Sequence, residues 1–202
     1  MSFNTSNINN NDKNWEIDLL VNHIISKHHT YVKKTLPLLT SNLDNLISNN
    51  NENQSKLIEL KKLTYHLRKE ITDHLLKEEE TLFPNILEIH QSSQNDSIPD
   101  STIVETTINL FTAMNYEHSS ADKVIKNINS IIKNYSLETN SNETFIKYSE
   151  LMNEFQSDLK EHVHLEDDVL FPLVENFVQS LGLIPQNISN EAVVDDLDDD
   201  LF

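Results

Sequence analysis

The sequence predicts an all-α protein built as an antiparallel, up-down-up-down four-helix bundle. Three observations lead to this fold: four long segments carry apolar residues at helical spacing, polar stretches separate them, and only 1 of the 202 residues is glycine. Turn-rich β-sandwiches and barrels rely on many more glycines than this. Because short connections between long helices favour antiparallel neighbours, the four helices are expected to alternate in direction.

The helices are predicted from breaks and apolar stripes. The breaks are NNNENQ (49–54), SSQNDSIPD (92–100) and LETNSNE (137–143). Two stripes run at alternating steps of four and three, each with a histidine where an apolar residue is expected. They consist of Thr107, Phe111, Met114, His118, Ala121, Ile125, Ile128 and Ile132, and of Tyr148, Met152, Phe155, Leu159, His162, Glu166 and Val169. Gly182, followed by Pro185, predicts the end of the last helix, since glycine readily adopts the left-handed conformation of a helix C-terminus.

One helical domain, residues 15–184, is predicted between two tails. Residues 1–14 are rich in asparagine and too poor in apolar side chains to offset the entropy of ordering, so a disordered N-terminal tail is expected. Residues 185–202 form a predicted acidic C-terminal tail, with six acidic residues and no base among its last dozen. Such a tail is expected to be solvated, with a docking peptide as the alternative.

Charge and composition exclude several classes of function. With 15 Lys+Arg against 33 Asp+Glu, the chain has a formal net charge of -18, which disfavours nucleic acid and anionic lipid as partners. The absence of cysteine excludes a disulfide scaffold, a thiolate nucleophile and cysteine-held metal sites. No stretch approaches the roughly 18 apolar residues of a membrane span. We therefore expect a cytoplasmic protein whose metal ligands, if any, are histidines and carboxylates.

Two near copies of one motif carry the chemistry. HLLKEEETLFP (74–84) and HVHLEDDVLFP (162–172) both begin with a histidine followed four residues later by a glutamate, a spacing that puts both side chains on one helix face. A further histidine lies 45 residues before the first copy and 44 before the second. The repeat therefore predicts a carboxylate-bridged dinuclear metal site inside the bundle. Its candidate ligands are His29, His74, Glu78, His118, His162 and Glu166.

The motif leaves some alternatives open. Any one of these histidines is by itself more often a core residue than a ligand, but burying six such groups without a metal would be costly. Iron, manganese and zinc all suit the ligand types. His28 rivals His29 for the ligand role but is expected to face solvent. Glu70 and Glu117 are either surface charges or carriers of iron or protons along a channel. Prolines 84 and 172 are expected to close the inner ends of their helices.

At the level of longer segments, the chain resembles the hemerythrin-like domain of the repair-of-iron-centres family, over about residues 19–177. The matching segments are LVNHIISKHHTYVKKTLPLL (20–39), HLLKEEETLFP (74–84), MNYEHSSAD (114–122) and DLKEHVHLEDDVLFP (158–172). The resemblance implies a hemerythrin-like bundle with two non-haem irons, with or without an oxo bridge. It puts the iron ligands on the six residues already named, with Glu78 and Glu166 bridging the metals.

The resemblance also implies a function. Members of the family support repair of iron–sulfur clusters damaged by oxidative or nitrosative stress, so damaged iron–sulfur proteins are the expected partners. Iron donation and redox chemistry at the centre are the two mechanisms considered, with no catalytic residue beyond the ligands. The alternative is a hemerythrin-like sensor or carrier of oxygen, nitric oxide or iron.

The sequence departs from related patterns in two ways. Oxygen-carrying hemerythrins have a fifth histidine four residues after the one that corresponds to His118, whereas Asp122 stands here. This difference disfavours reversible oxygen carriage. Asp122 is expected to contact the metal ligands from outside or to lie on the helix surface, with approach to the metal itself as the alternative. The family's N-terminal cysteine pair has no counterpart in this chain, so any step that needs those thiols is expected to depend on another protein.

Overall fold

The computed structural model describes residues 16–49, 54–95, 97–138 and 143–184, which form four long helices and contain no strand. The predicted tails, residues 1–14 and 185–202, lie outside the described residues. We number the helices α1 (17–48), α2 (54–94), α3 (101–138) and α4 (143–180). Neighbouring helices pack against one another around a common core, so the predicted all-α four-helix bundle is confirmed.

Three of the four helices contain a widened, π-helical turn. Helix α1 consists of Ile17–His23, the π segment Ile24–His29, and Thr30–Ser48. Helix α2 consists of Gln54–Lys77, the π segment Glu78–Leu82, and Phe83–Gln94. Helix α3 is α-helical over Ser101–Glu138. Helix α4 consists of Glu143–His164, the π segment Leu165–Leu170, and Phe171–Ser180.

The expectation that Pro84 and Pro172 end their helices is wrong. Each proline lies at the start of an α-helical segment that follows a π segment, and the chain stays helical through both. A proline inside a regular α-helix removes one hydrogen bond and its ring collides with the carbonyl group four residues earlier. Here those carbonyl groups belong to Glu80 and Asp168, within the widened turns. The π segments therefore accommodate the prolines without breaking the helices.

Two apolar clusters fill the bundle, one on each side of a polar layer. The first is built from the later half of α1, the earlier halves of α2 and α4, and the later half of α3, with Leu43, Leu67 and Phe155 fully buried. The second is built from the opposite halves of the four helices, and includes Leu20, Phe83 and Val174. The candidate ligands lie between these clusters. Burial of apolar side chains on both sides thus fixes the positions of polar residues in the middle of the core.

The C-terminal end of α4 has the predicted glycine geometry. Gly182 has a φ of 70°, in the left-handed region that L side chains rarely adopt. Its N–H donates to the carbonyl oxygen of Gln179 at 2.9 Å, and the N–H of Leu183 donates to that of Val178 at 3.2 Å. These two bonds satisfy carbonyl groups that the end of a helix otherwise leaves without donors. In the part of the chain that the structure describes, no helix is both long enough and apolar enough to cross a membrane.

Candidate metal centre

The six residues singled out by the repeat lie together in the polar layer. They form two groups of four that could each hold a metal ion, and the ligand atoms within each group lie within 4.8 Å of one another. One group contains His29 and His162, and the other contains His74 and His118. Both groups include Glu78 and Glu166. We call these groups the inner half (His29, His162) and the outer half (His74, His118) of the centre.

Each glutamate offers one oxygen to each half. Oε1 of Glu78 lies 3.0 Å from Nε2 of His74 in the outer half, and Oε2 lies 3.4 Å from Nε2 of His29 in the inner half. Oε1 of Glu166 lies 3.0 Å from Nε2 of His162, and Oε2 lies 3.3 Å from Nε2 of His118. The two carboxylates thus span the two halves from opposite directions. This is the arrangement that bridging ligands of a dinuclear centre need.

The distances and the unsatisfied atoms fit a metal. Within each half the two histidine Nε2 atoms are 3.1 Å apart. A metal–nitrogen bond of about 2.1 Å puts neighbouring ligand atoms about 3 Å apart, so the spacing suits two ligands of one ion. Both glutamates are fully buried, yet both oxygens of Glu78 and Oε2 of Glu166 receive no directed hydrogen bond among the described residues. Buried carboxylates in this condition are costly unless a cation compensates them.

Three carboxylates outside the ligand set, which we call the supporting carboxylates, orient three of the four histidines. Nδ1 of His29 is 2.7 Å from Oε1 of Glu79, Nδ1 of His74 is 2.9 Å from Oε2 of Glu117, and Nδ1 of His118 is 3.0 Å from Oδ1 of Asp167. Because a carboxylate only accepts, each Nδ1 carries a hydrogen, which leaves Nε2 as the atom that can give its lone pair to a metal. Lys33 in turn binds Glu79, and Lys77 binds Glu117.

The metal-free centre has strongly shifted pKa values. Burial, assisted by the nearby His162, lowers the pKa of His29 to about 4. Burial also opposes protonation of His118, but the neighbouring carboxylates of Asp167 and Glu166 outweigh it and raise the pKa of His118 to about 10. Burial and the charge of Glu166 raise the pKa of Glu78. Binding of cations therefore displaces protons from this cluster, because metal ligands must be deprotonated.

A large cavity reaches only one half of the centre. It has a volume of about 1000 Å³ and is lined by α2, α3 and α4. His74 and His118 contribute to its wall, whereas His29 and His162 do not and are fully buried. Glu70 and Glu117 also line the cavity. A small molecule or ion that enters from solvent through this cavity therefore meets the outer half first.

The other candidates are placed as follows. Asp122 is 55% exposed and pairs with Lys126, so it lies on the helix surface. Glu117 lies against His74 as described, and Glu70 is 3.3 Å from His66. Their predicted roles in transport stay predictions.

His28 differs from expectation. We expected it to face solvent, but it is fully buried, with Nδ1 3.0 Å from Oδ1 of Asp158. The reason is that the π segment of α1 packs against α4. His29 therefore turns towards Glu79 on α2, while His28 turns towards α4.

The supporting role of two carboxylates, Glu79 and Asp167, was not predicted from the sequence. A signal was present, because each directly follows a bridging candidate in the repeated motif, as Glu78-Glu79 and Glu166-Asp167. The acidic residue in both copies is therefore part of the repeat and not a solvated charge. Glu117 is predicted from the sequence as a surface charge or a channel residue, and its hydrogen bond with His74 is not part of that prediction.

Fold and centre together define a class: a four-helix bundle with two histidine pairs and two shared glutamates in its core. Residues 20–174 match the model of the hemerythrin HHE cation binding domain. This match extends over most of the chain, and the protein belongs to the hemerythrin HHE family. The domain binds iron, and two irons per domain are typical of the family.

Several curated relatives are similar over most of the chain. A probable iron-sulfur cluster repair protein of Haemophilus influenzae is 26% identical over 174 residues, which cover 85% of this chain and 72% of the relative. The iron-sulfur cluster repair protein ScdA of Staphylococcus epidermidis is 26% identical, over 81% of this chain and 69% of its own. The iron-sulfur cluster repair protein YtfE of Dickeya chrysanthemi is 27% identical, over 80% and 68%.

Proposed function

We propose that this protein is a non-haem di-iron protein that supports repair of iron–sulfur clusters damaged by oxidative or nitrosative stress. The observation that carries the proposal is the pair of glutamates that each present one oxygen to both halves of a buried histidine cluster. Relatives named as iron-sulfur cluster repair proteins supply the biological context. Damaged iron–sulfur proteins are the proposed partners, and the cytoplasm is the proposed location.

In this proposal the six clustered residues are the metal ligands. His29 and His162 hold one iron, His74 and His118 hold the other, and Glu78 and Glu166 bridge them. When bound, the two irons supply one-electron redox chemistry and a store of ferrous ion that can be donated to a client.

The chain's own residues control this centre in three ways. The supporting carboxylates Glu79, Glu117 and Asp167 keep the Nε2 atoms of the histidines that they contact directed at the centre. The apolar clusters on both sides exclude water from the inner half. The cavity admits ions or small molecules, among them nitric oxide and oxygen, to the outer half. Iron donation is therefore proposed to proceed through the outer half.

A reactivation assay tests the proposal. The iron-loaded protein is added to a purified [4Fe–4S] enzyme that has been inactivated with peroxide or nitric oxide, and recovery of its activity is measured. We expect recovery with the wild type and none beyond background with the double variant Glu78→Gln/Glu166→Gln, which loses the bridging carboxylates. The control Glu80→Gln/Asp168→Asn removes two acidic groups two residues further along the same helices, and should repair normally. Equal repair by wild type and the Glu78/Glu166 double variant would overturn the proposal.

The second candidate is a sensor or carrier of oxygen, nitric oxide or iron. The cavity that ends at the outer half favours it, because a small ligand can reach that half from solvent. Asp122 does not take the place of the fifth histidine of oxygen carriers, since it pairs with Lys126 on the surface. A reversible absorption change when oxygen is added to the ferrous protein and then removed would support the carrier. Irreversible oxidation would support the redox or iron-donating function.

A further inference from the structure

The surroundings of the two halves differ at one position of the internal repeat. Glu117 directly precedes His118 on α3 and accepts a hydrogen bond from His74, a ligand of the same half. In the other copy of the repeat, the counterpart of Glu117 is the residue that directly precedes His29 on α1. There the chain has His28, which lies beside His162, the counterpart of His74.

His28 cannot replace the missing carboxylate. Its ring lies nearly parallel to that of His162, with 5.9 Å between ring centroids and an interplanar angle of 8°. Asp158 on α4 holds the ring through Nδ1. Nε2 of His28 and Nδ1 of His162 are both buried and lack a hydrogen-bond partner among the described residues. His162 is thus the only one of the four candidate histidine ligands for which the structure describes no carboxylate at Nδ1.

We infer that His28 is a positioning residue that makes the two iron sites unequal. It packs on His162 at the position where the repeat would otherwise place a carboxylate equivalent to Glu117. This inference rests on the proposed di-iron centre. A carboxylate on Nδ1 fixes the imidazole and makes its Nε2 a stronger donor, and loss of such a partner typically weakens metal binding about 10–100-fold. The outer half has two histidines supported in this way, and the inner half has one.

Two consequences follow. At equilibrium, the inner half binds its iron about 10–100-fold more weakly than the outer half. The inner half nevertheless exchanges metal slowly, because both of its histidines are fully buried while the outer half opens to the cavity. For release of iron, affinity and accessibility therefore act in opposite directions, because the inner half binds more weakly but only the outer half opens to the cavity. Measurements at equilibrium are the ones that report the role of His28.

Three variants separate this role from a general effect on folding. His28→Glu supplies the carboxylate that the repeat lacks, and should tighten the weaker site towards the stronger one. His28→Phe keeps a flat ring against His162 without nitrogen atoms, and should retain the difference seen in the wild type. Glu117→His makes the outer half resemble the inner one, and should weaken the tighter site about 10–100-fold. Glu117 is partly exposed, so this third variant tests the inference even where His28→Glu does not fold.

The experiment measures two dissociation constants for ferrous iron by anaerobic competition with a chelator at equilibrium. A second readout uses Zn²⁺ as a diamagnetic metal and records the histidine Nδ1–H resonances by NMR. The Nδ1–H protons of His28, His29, His74 and His118, which all face carboxylates, should lie at low field in the wild type. In His28→Glu the resonance of His28 is absent, and that of His162 should join the other three. The inference fails if the wild type has two equal constants, or if neither His28→Glu nor Glu117→His changes their ratio. A protein that binds no iron at all would instead overturn the proposed function.

Discussion

Replacing Glu78 with glutamine should stabilise the metal-free protein while abolishing its ability to hold two irons. Glu78 is fully buried, and neither of its oxygens receives a directed hydrogen bond among the described residues. A buried polar group left in this condition costs about 1–3 kcal/mol. Glutamine has almost the same shape and carries no charge. Its amide can donate to Nε2 of His29, which lies 3.4 Å from one carboxylate oxygen.

The size of the effect follows from that cost. A gain of about 2 kcal/mol, at a urea m value of about 2 kcal/mol/M, raises the unfolding midpoint of the metal-free protein by about 1 M. The gain depends on pH, because burial and the charge of Glu166 raise the pKa of Glu78 from its ordinary value of 4.5. The folded state then holds a proton that the unfolded chain releases, so this carboxyl lowers stability progressively as pH rises above 4.5. The advantage of glutamine should therefore vanish below that pH and grow above it.

Urea unfolding of metal-free wild type, Glu78→Gln and the control Glu80→Gln, followed by circular dichroism at several pH values, measures this. Glu80 is exposed, so its variant should stay within about 0.5 kcal/mol of the wild type. Ferrous iron should invert the order, because a ligand at 100 times its dissociation constant stabilises by about 2.7 kcal/mol only the protein that binds it. A metal-free Glu78→Gln protein that is less stable than the wild type at neutral pH would refute the reasoning.

Three further outcomes are expected. Glu79→Gln should weaken iron binding about 10–100-fold, because Nδ1 of His29 loses its charged acceptor at 2.7 Å; chelator competition measures this, and an unchanged affinity would contradict the role given to Glu79. Asp122→Asn should leave iron content and the reaction with oxygen unchanged, since Asp122 pairs with Lys126 on the surface; loss of iron, determined by metal analysis, would place Asp122 at the centre after all. Phe155→Ala should destabilise the protein by about 3–5 kcal/mol, because Phe155 is fully buried in the first apolar cluster; calorimetry gives the stability, and metal analysis of the folded variant should still find two irons.

The fold could be predicted from the sequence because apolar residues at helical spacing mark all four helices. The predicted breaks agree with the observed helix ends at Ser48, Gln94 and Glu138. All seven residues of the stripe on α4, from Tyr148 to Val169, are buried. The grouping of the six candidate ligands was predictable for a different reason. A spacing that recurs in both halves of the chain indicates a shared structural role, which single histidines do not.

The π segments could not be predicted, because they depend on how the neighbouring helices pack. Prolines 84 and 172 were interpreted as breaks, since a proline inside a regular α-helix removes a hydrogen bond. The widened turns over Glu78–Leu82 and Leu165–Leu170 accommodate them instead. Such π turns are rare in helices and frequently lie at functional sites. Here they begin at or next to Glu78 and Glu166, the candidate bridging ligands, which links the repeated proline to the geometry of the centre.

The surroundings of His28 could not be predicted from the sequence either, because helical spacing relates only residues on the same helix. Its burial depends on α4, where Asp158 receives its Nδ1–H. The cavity depends likewise on the space between α3 and α4, which no local pattern reports.

The central claim is that six residues hold two irons with Glu78 and Glu166 as bridges. The most direct test is to load the metal-free protein anaerobically with ferrous iron, remove the excess, and count iron per chain in the wild type and in Glu78→Gln/Glu166→Gln. We predict two irons per wild-type chain and fewer than one in the double variant, with the Glu80→Gln/Asp168→Asn control retaining two. A wild type that retains no iron, or a double variant that retains both, would contradict it.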